Sequence, residues 1–340
     1  MSEDKIRELT YVDAAREGLA EEMEQDPSIF VVGEGIGARG GNFNTTVGLF
    51  DRFGPKRLRD TPISERGFTN MCTGAAMTGA RPVVDWMFLD FGVDAMGDII
   101  HQTATIQWMS GGRLKMPIVL RGCIGVLGAA AAHHSGNFYS MFAHQVGLRV
   151  VLPVTPYDAK GLIKTAIRCD DPVLFLEHRG VLTNKGPVPE EEYLIPFGEA
   201  AIRREGTDVT VVAIAYMVNH AVEVGKQLEK EGISIEVIDP RTIAPLDIDT
   251  ILESVHKTGR LLVVDEAYPA CGMASEIAAQ VMDNGFDDLD APVRRLCGLP
   301  APIPNSLALV GSMTPNPGTI AEAVRSLLAE EVVSRRKNGF

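Results

Sequence analysis

The chain has 340 residues, with 32 basic and 45 acidic side chains and a net charge of −13. That balance disfavours nucleic acid and anionic membrane as partners, since both need a positive face, and no apolar run approaches the roughly 18 residues of a membrane span. Hydrophobic residues make up 45% and charged ones 23%, which fits a folded globular protein of about two domains. The start, Met1-Ser2-Glu3-Asp4-Lys5, lacks the charged-then-apolar pattern of a signal peptide. The five cysteines (Cys72, Cys123, Cys169, Cys271, Cys297) are scattered. They read as reduced thiols of a cytoplasmic protein, not as a zinc site or disulfide frame.

In chain order, apolar runs at 29–33, 82–88, 117–122, 148–153 and 172–177 read as strands. Their continuous apolarity suits parallel strands covered on both faces. Stretches 67–79, 93–109 and 157–168 between them read as helices. Segment 179–197, with three prolines and the run Glu190-Glu191-Glu192, reads as a linker. Strands at 208–215, 233–239, 260–265 and 292–296 then alternate with helices at 218–231, 247–256, 273–283 and 319–330. The expected fold class is α/β, with two doubly wound domains covering 1–190 and 191–340.

Open α/β sheets bind ligands beyond the carboxyl ends of their strands. Glu34 and the glycine-rich loop 35–41 follow the first strand. Ser64-Glu65 follow the short segment 57–60, and Leu89-Asp90-Phe91 follow 82–88. A Gly/Ala loop ending in His133-His134-Ser135-Gly136 follows 117–122. These residues converge on one rim. Taken singly, each keeps a plain alternative. Glu65 suits the first turn of a helix, where a carboxylate favours the dipole. The glycine-rich loop matches neither a GxGxxG nor a GxxxxGK[ST] signature. Phe91 suits a core. His133 and His134, being adjacent, cannot face one metal ion together, so no metal site is assigned.

The pattern as a whole resembles a known family. Gly33-Glu34, Asp60-Thr61-Pro62-Ile63-Ser64-Glu65, Gly74-Ala75-Ala76-Met77, Arg81-Pro82, Ser110-Gly111-Gly112, His134-Ser135, Asp171-Pro172-Val173 and Asp265-Glu266-Ala267 carry the likeness. They are similar to the β subunit of thiamin-diphosphate-dependent 2-oxo acid dehydrogenase E1 components. The resemblance implies a pyrimidine-binding domain followed by a transketolase C-terminal-like domain. It also implies an α2β2 heterotetramer with an E1 α subunit, β–β self-association, and acylation of the lipoyl group of an E2 acyltransferase. Thiamin diphosphate would be shared with the α subunit, which would hold its Mg²⁺, because this chain has no Gly-Asp-Gly motif.

Residue by residue, Glu65 matches the glutamate that shares a proton with N1′ of the aminopyrimidine. That contact promotes the imino group which removes the thiazolium proton. Ile63 and Met87 match residues lining the pyrimidine, and Phe91 matches the ring stacked on it. Glu34 matches a second glutamate implied in a proton relay. His134 matches the loop histidine that helps pass the acyl group to the lipoyl arm, with His133 in at most a supporting place. His144 matches a recurrent histidine without a defined role. A structural K⁺ in some relatives maps to backbone carbonyls of Ile118, Ala166, Cys169 and Asp171. Departures fall at Asp85 and Trp86, at 302–306 and at Val310, the last two in the region that faces E2 in the family. The alternatives are the β subunit of an acetoin dehydrogenase, half of a split transketolase, or a subunit that kept only the fold. A sugar-phosphate site would need basic residues, for which Arg39, Arg66 and Arg121 are the candidates.

Overall fold

The computed structural model of the chain describes residues 7–330. The five N-terminal residues read above for a leader lie outside the described residues. The chain forms two compact units: residues up to Gly198 with Arg241–Pro245, and Glu199–Pro240 with the residues from Leu246 onward. Among the described residues no helix is long and apolar enough to cross a membrane.

The first unit is built on a seven-stranded sheet. Its strands are β2 (Ile29–Gly33), β3 (Leu58–Asp60), β4 (Arg81–Phe88), β5 (Val119–Ile124), β6 (Arg149–Val151), β7 (Val173–His178) and β12 (Thr242–Ala244). They lie in the order β12-β6-β7-β5-β4-β2-β3. All neighbours are parallel except the edge pair β12–β6. Every residue of β5 and β7 is buried, as parallel strands between helical layers require. A separate ribbon pairs β1 (Arg7–Thr10) antiparallel with β8 (Lys185–Val188). Part of the segment read as a linker is therefore a strand of this unit. Its partner lies at the opposite end of the domain sequence, which local composition does not reveal.

Three long helices flank the sheet: α1 (Tyr11–Gln25), α2 (Glu65–Met77) and α3 (Pro156–Arg168). Thr10 starts α1 by accepting from the Asp13 N–H, and Thr155 starts α3 by accepting from Asp158. Leu19 and Met23 of α1 and Leu162 and Ile163 of α3 join β-strand residues such as Val31 and Phe175 in one core. The helices pack closely at Gly18, where a Cβ would lie 2.8 Å from Ile163 Cγ2 and 3.0 Å from the Lys160 carbonyl. Lys160 and Lys164 are fully buried, and their ammonium groups reach Glu17 and Glu21 across this contact.

Segment 93–109, expected as one helix, is broken. Short 3-10 and α turns at Val93–Ala95 and Met96–Asp98 lead into a π-helical turn at Ile99–Thr103, and a last α turn spans Ile106–Met109. The Ala104 N–H bonds to the Ile99 carbonyl at 2.8 Å, one residue beyond the α spacing. Buried Thr103 meets Thr73 of α2 through a 2.9 Å hydroxyl contact.

The second unit has a five-stranded sheet in the order β14-β13-β10-β11-β9. Its strands are β9 (Ala201–Arg204), β10 (Val209–Ala213), β11 (Ile235–Asp239), β13 (Leu261–Asp265) and β14 (Arg294–Cys297). Only β9 runs antiparallel. Helices α4 (Met217–Leu228), α5 (Ile248–Thr258), α6 (Met273–Gly285) and α7 (Pro317–Ala329) complete it.

In the centre of the first sheet, Arg121 of β5 binds Glu177 of β7 through two contacts of 2.5 and 2.9 Å. Both side chains are 1% exposed. Burial alone would depress the Arg121 charge, but Glu177 and then Asp85 outweigh it and hold the guanidinium above its usual range. This removes Arg121 from the candidate phosphate-binding residues. Arg121→Met should destabilise the chain by about 3–5 kcal/mol, because it leaves the Glu177 charge buried and unanswered. Arg121→Met with Glu177→Leu should recover most of that loss in urea unfolding.

Candidate functional site

The ends of β2, β3 and β4 lie side by side. Gly33 is in register with Asp60 on one side and Asp85 on the other. A Cβ on Gly33 would sit 2.3 Å from the Asp85 carbonyl, so only glycine allows this approach. Beyond Gly33 the chain places Glu34 and the loop that follows. Asp60 fixes that loop by accepting the Gly37 N–H at 2.9 Å. Thr46 ties it down through the Ile36 carbonyl at 2.6 Å.

Asp85 organises the next strand end. One carboxylate oxygen accepts the Thr45 hydroxyl at 3.0 Å, and the other accepts the Met87 N–H at 2.8 Å. Met87 has φ +67°, a left-handed conformation costly for a side-chain-bearing residue. It marks the irregularity between Asp85 and Phe88 in the β4–β5 ladder. The Met87 sulfur also contacts the Asn42 side-chain amide at 2.8 Å. A β-strand bent in this way re-aims the residues after it.

Glu65 opens α2 and is 9% exposed. It occupies the first helical turn and is sheltered from water. Its charge acts on Glu34. Burial, then Glu65, then Asp85 push the Glu34 carboxyl above the usual 4.5. Glu34 Oε1 is buried without a hydrogen-bond partner. A carboxyl in that state is suited to a ligand that brings a ring nitrogen or an N–H.

The other predicted residues form a second cluster. His134 lies edge-on to Phe88, with ring centroids 4.8 Å apart, and to Phe91 at 5.4 Å. Phe88 and Phe91 meet edge-to-face at 5.6 Å. Phe43, just past the glycine-rich loop, packs on Phe88 at 5.3 Å. His133 is exposed. Ile63 is 82% exposed, and so is not part of the core. His144 lies away from both clusters, on a groove of 1170 Å³ at the amino ends of β6 and β7 that Trp108, Val146 and Pro245 also line.

From the sequence Asp85 stands out only as a departure from the family pattern, and Phe88, Asp90 and Arg179 have no assigned role. Asp90 accepts the Gly136 N–H, and Arg179 lies over the Phe88 ring at 5.4 Å. Their position just after β4 and β7 was the available signal. At the K⁺-matching carbonyls, the Ile118 oxygen accepts the Val173 N–H at 2.9 Å, and the Cys169 oxygen accepts from Arg81 at 3.0 Å. Of the basic candidates for sugar phosphate, Arg66 is engaged by Asp98 at 2.7 Å.

Residues 7–185 match the transketolase pyrimidine-binding domain, and residues 198–332 match the transketolase C-terminal domain. The fold also resembles a structure described as a split gene transketolase, inactive β4 tetramer. That likeness has a TM-score of 0.75 at 20% identity, over 94% of this chain and 98% of the other. The molecule is thus a transketolase-type α/β protein. Curated relatives narrow the class. The chain is 41% identical to a pyruvate dehydrogenase E1 component subunit β of Rhizobium meliloti, over 94% of its length and 70% of the relative's. It is 41% identical to a 2-oxoisovalerate dehydrogenase subunit β of Bacillus subtilis, over 94% and 98%. It is 43% identical to an acetoin:2,6-dichlorophenolindophenol oxidoreductase subunit β of Cupriavidus necator, over 95% and 98%. The chain belongs to the family of thiamin-diphosphate-dependent 2-oxo acid dehydrogenase E1 β subunits.

The raised Glu34 carboxyl sets a stability prediction. It holds its proton in the folded chain to a higher pH than in the unfolded one, so its ionisation weakens the fold as pH rises. Glu34→Gln should therefore raise the melting temperature at pH 7. The gain should shrink toward zero below the usual value of 4.5, and thermal unfolding at both pH values checks this.

Proposed function

We propose that this chain is the pyrimidine-binding half of an E1 enzyme that acts on a 2-oxo acid or on acetoin. The observation that carries the reading is the sheltered carboxylate group Glu34–Glu65–Asp85, with its orphaned Glu34 oxygen. It shares the end of β4 with the aromatic–histidine cluster. Under this reading 1–190 and 191–340 are the pyrimidine-binding and C-terminal-like domains.

Glu65 would hold the aminopyrimidine through N1′, and Glu34 beside it would take part in a proton relay. Phe91 would stack on the ring, with Met87 and Ile63 at its margins. The exposure of Ile63 fits a residue completed by cofactor and partner. Bound thiamin diphosphate would supply the acidic carbon that attacks the substrate carbonyl and holds the electrons released on cleavage. When the acyl fragment passes to the lipoyl group, the sulfur–sulfur bond breaks. One sulfur would bond to the acyl carbon, whose bond to the cofactor breaks as its hydroxyl proton is lost, and the other sulfur would leave needing a proton, which His134 would give. The acyl fragment is oxidised as the disulfide is reduced.

The partners follow from the same reading. An α subunit would complete the cofactor site and hold Mg²⁺ at the diphosphate, within an α2β2 assembly in the cytoplasm. Trp108 and Val146, 90% and 92% exposed on their groove, are suited to subunit contact, β–β association included. Leu307 and Leu309, 72% and 55% exposed beside the unusual segment 302–306, would face E2. A K⁺ at the Ile118, Ala166, Cys169 and Asp171 carbonyls belongs to this reading, with Arg81 already answering the Cys169 oxygen. The split-transketolase reading is weaker, because Arg121 is sealed in the core and Arg66 is tied to Asp98.

The test is co-purification with the α subunit, followed by dye reduction with pyruvate, a branched-chain 2-oxo acid, acetoin and a ketose phosphate. One of the first three should support turnover, and Glu65→Gln should lower it by about 10²–10⁴. Full activity in Glu65→Gln, or turnover of the ketose phosphate alone, would contradict the proposal.

A further inference from the structure

The loop 126–135 that carries His133 and His134 leaves the sheet after Ile124, and Gly125 and Gly136 meet at its base. Its middle is Leu127-Gly128 and four consecutive alanines, side chains too small or too exposed to anchor it. Its base, by contrast, is tightly held. The Gly125 N–H meets the Gly136 carbonyl at 3.4 Å. The Gly136 N–H is shared between both Asp90 carboxylate oxygens, at 3.1 and 3.2 Å. On the other strand of the base, Arg179 Nη2 donates to the Gly125 carbonyl at 2.7 Å.

The two charged residues come from opposite sides. Asp90 follows β4 and Arg179 follows β7, the two neighbours of β5 in the sheet. Neither base glycine has room for a side chain. A Cβ on Gly136 would lie 2.7 Å from Asp90 Oδ1 and 2.3 Å from the Phe138 ring. On Gly125, at φ +92°, it would lie 1.9 Å from His178 Nε2. Asp90 and Arg179 also reach the histidine's own surroundings. Arg179 covers Phe88, and the His134 ring rests on Phe88 and Phe91. Burial raises the Asp90 carboxyl, while the Gly136 bond, His134 and Arg179 pull it back toward the ionised form.

We infer that Asp90 and Arg179 form a clamp across the base of this loop and act as positioning residues that set the aim of His134. The inference rests on the proposed role of His134 in acyl transfer. Transfer between two large groups is sensitive to displacements of about 1 Å. A loop of small residues needs such a fixed base to hold a ring in place. The aromatic cluster then sets the tilt of the ring, and the clamp sets where the loop begins and ends.

The test uses the complete α/β enzyme with a free lipoyl domain as acyl acceptor, and compares lipoyl acylation with dye reduction. Asp90→Ala should lower kcat for acylation about tenfold, the scale of a lost charge-assisted hydrogen bond, and leave dye reduction within about twofold. Asp90→Asn keeps an acceptor for the Gly136 N–H and should recover most of the loss. In a His134→Ala background, Asp90→Ala should cost no further acylation, because the clamp acts through His134. Three results would overturn the clamp while leaving the His134 role standing. They are acylation unchanged in Asp90→Ala, Asp90→Asn as impaired as Asp90→Ala, or an undiminished Asp90→Ala effect without His134. Normal acylation in His134→Ala alone would overturn the role of the histidine and the clamp together.

Discussion

A guanidinium and a carboxylate sealed in the middle of a parallel sheet constrain everything around them. Arg121 and Glu177 sit on adjacent strands with almost no exposure, and each is tolerable there only because of the other. The pair stands in register with the ends of the neighbouring strands. Asp85 is directly opposite Arg121 in the β4–β5 ladder, and its charge adds to the field that keeps the guanidinium ionised. A polar column therefore runs from the core to the rim. Asp85 belongs to both ends of it: it faces the buried cation, and it binds Thr45 and the Met87 N–H.

From Asp85 outward the arrangement is one of carboxylates crowded at a strand end. Glu34 feels both Glu65 and Asp85. Like charges gathered this closely cost stability unless protons or a ligand compensate. Such strain is common where a fold serves chemistry. The His134 cluster a few residues further along β4 adds an apolar, aromatic wall. Both clusters adjoin the end of β4, where the ladder is irregular at Met87.

The larger elements were legible because parallel, doubly covered strands read as mainly apolar runs: β2 is apolar throughout, and the runs of β4, β5 and β7 are interrupted by Asp85, Arg121 and Glu177. What escaped had partners far away in sequence. β8 pairs with β1 across the whole first domain, so its prolines and acidic neighbours read as a linker. Segment 93–109 had a helical pattern, yet nothing local foretold the shift to an Ile99–Ala104 bond. Arg121 stood among the candidate phosphate-binding residues because its partner, Glu177, lies 56 residues away on the adjacent strand. For the proposed site, the position after strands singled out Glu34, Glu65, Phe91 and His134 as candidates, and the family resemblance supplied their roles. Asp90 follows one too, but its partner is a backbone N–H 46 residues on, and no side-chain pattern records such a bond.

Under the proposed function this chain holds one half of a cofactor site. Calorimetric titration of thiamin diphosphate with Mg²⁺, into the chain alone and into the α/β complex, measures whether it does. A shared site should bind tightly in the complex and at least a hundredfold more weakly in the chain alone. Equal affinity in the two preparations would contradict it.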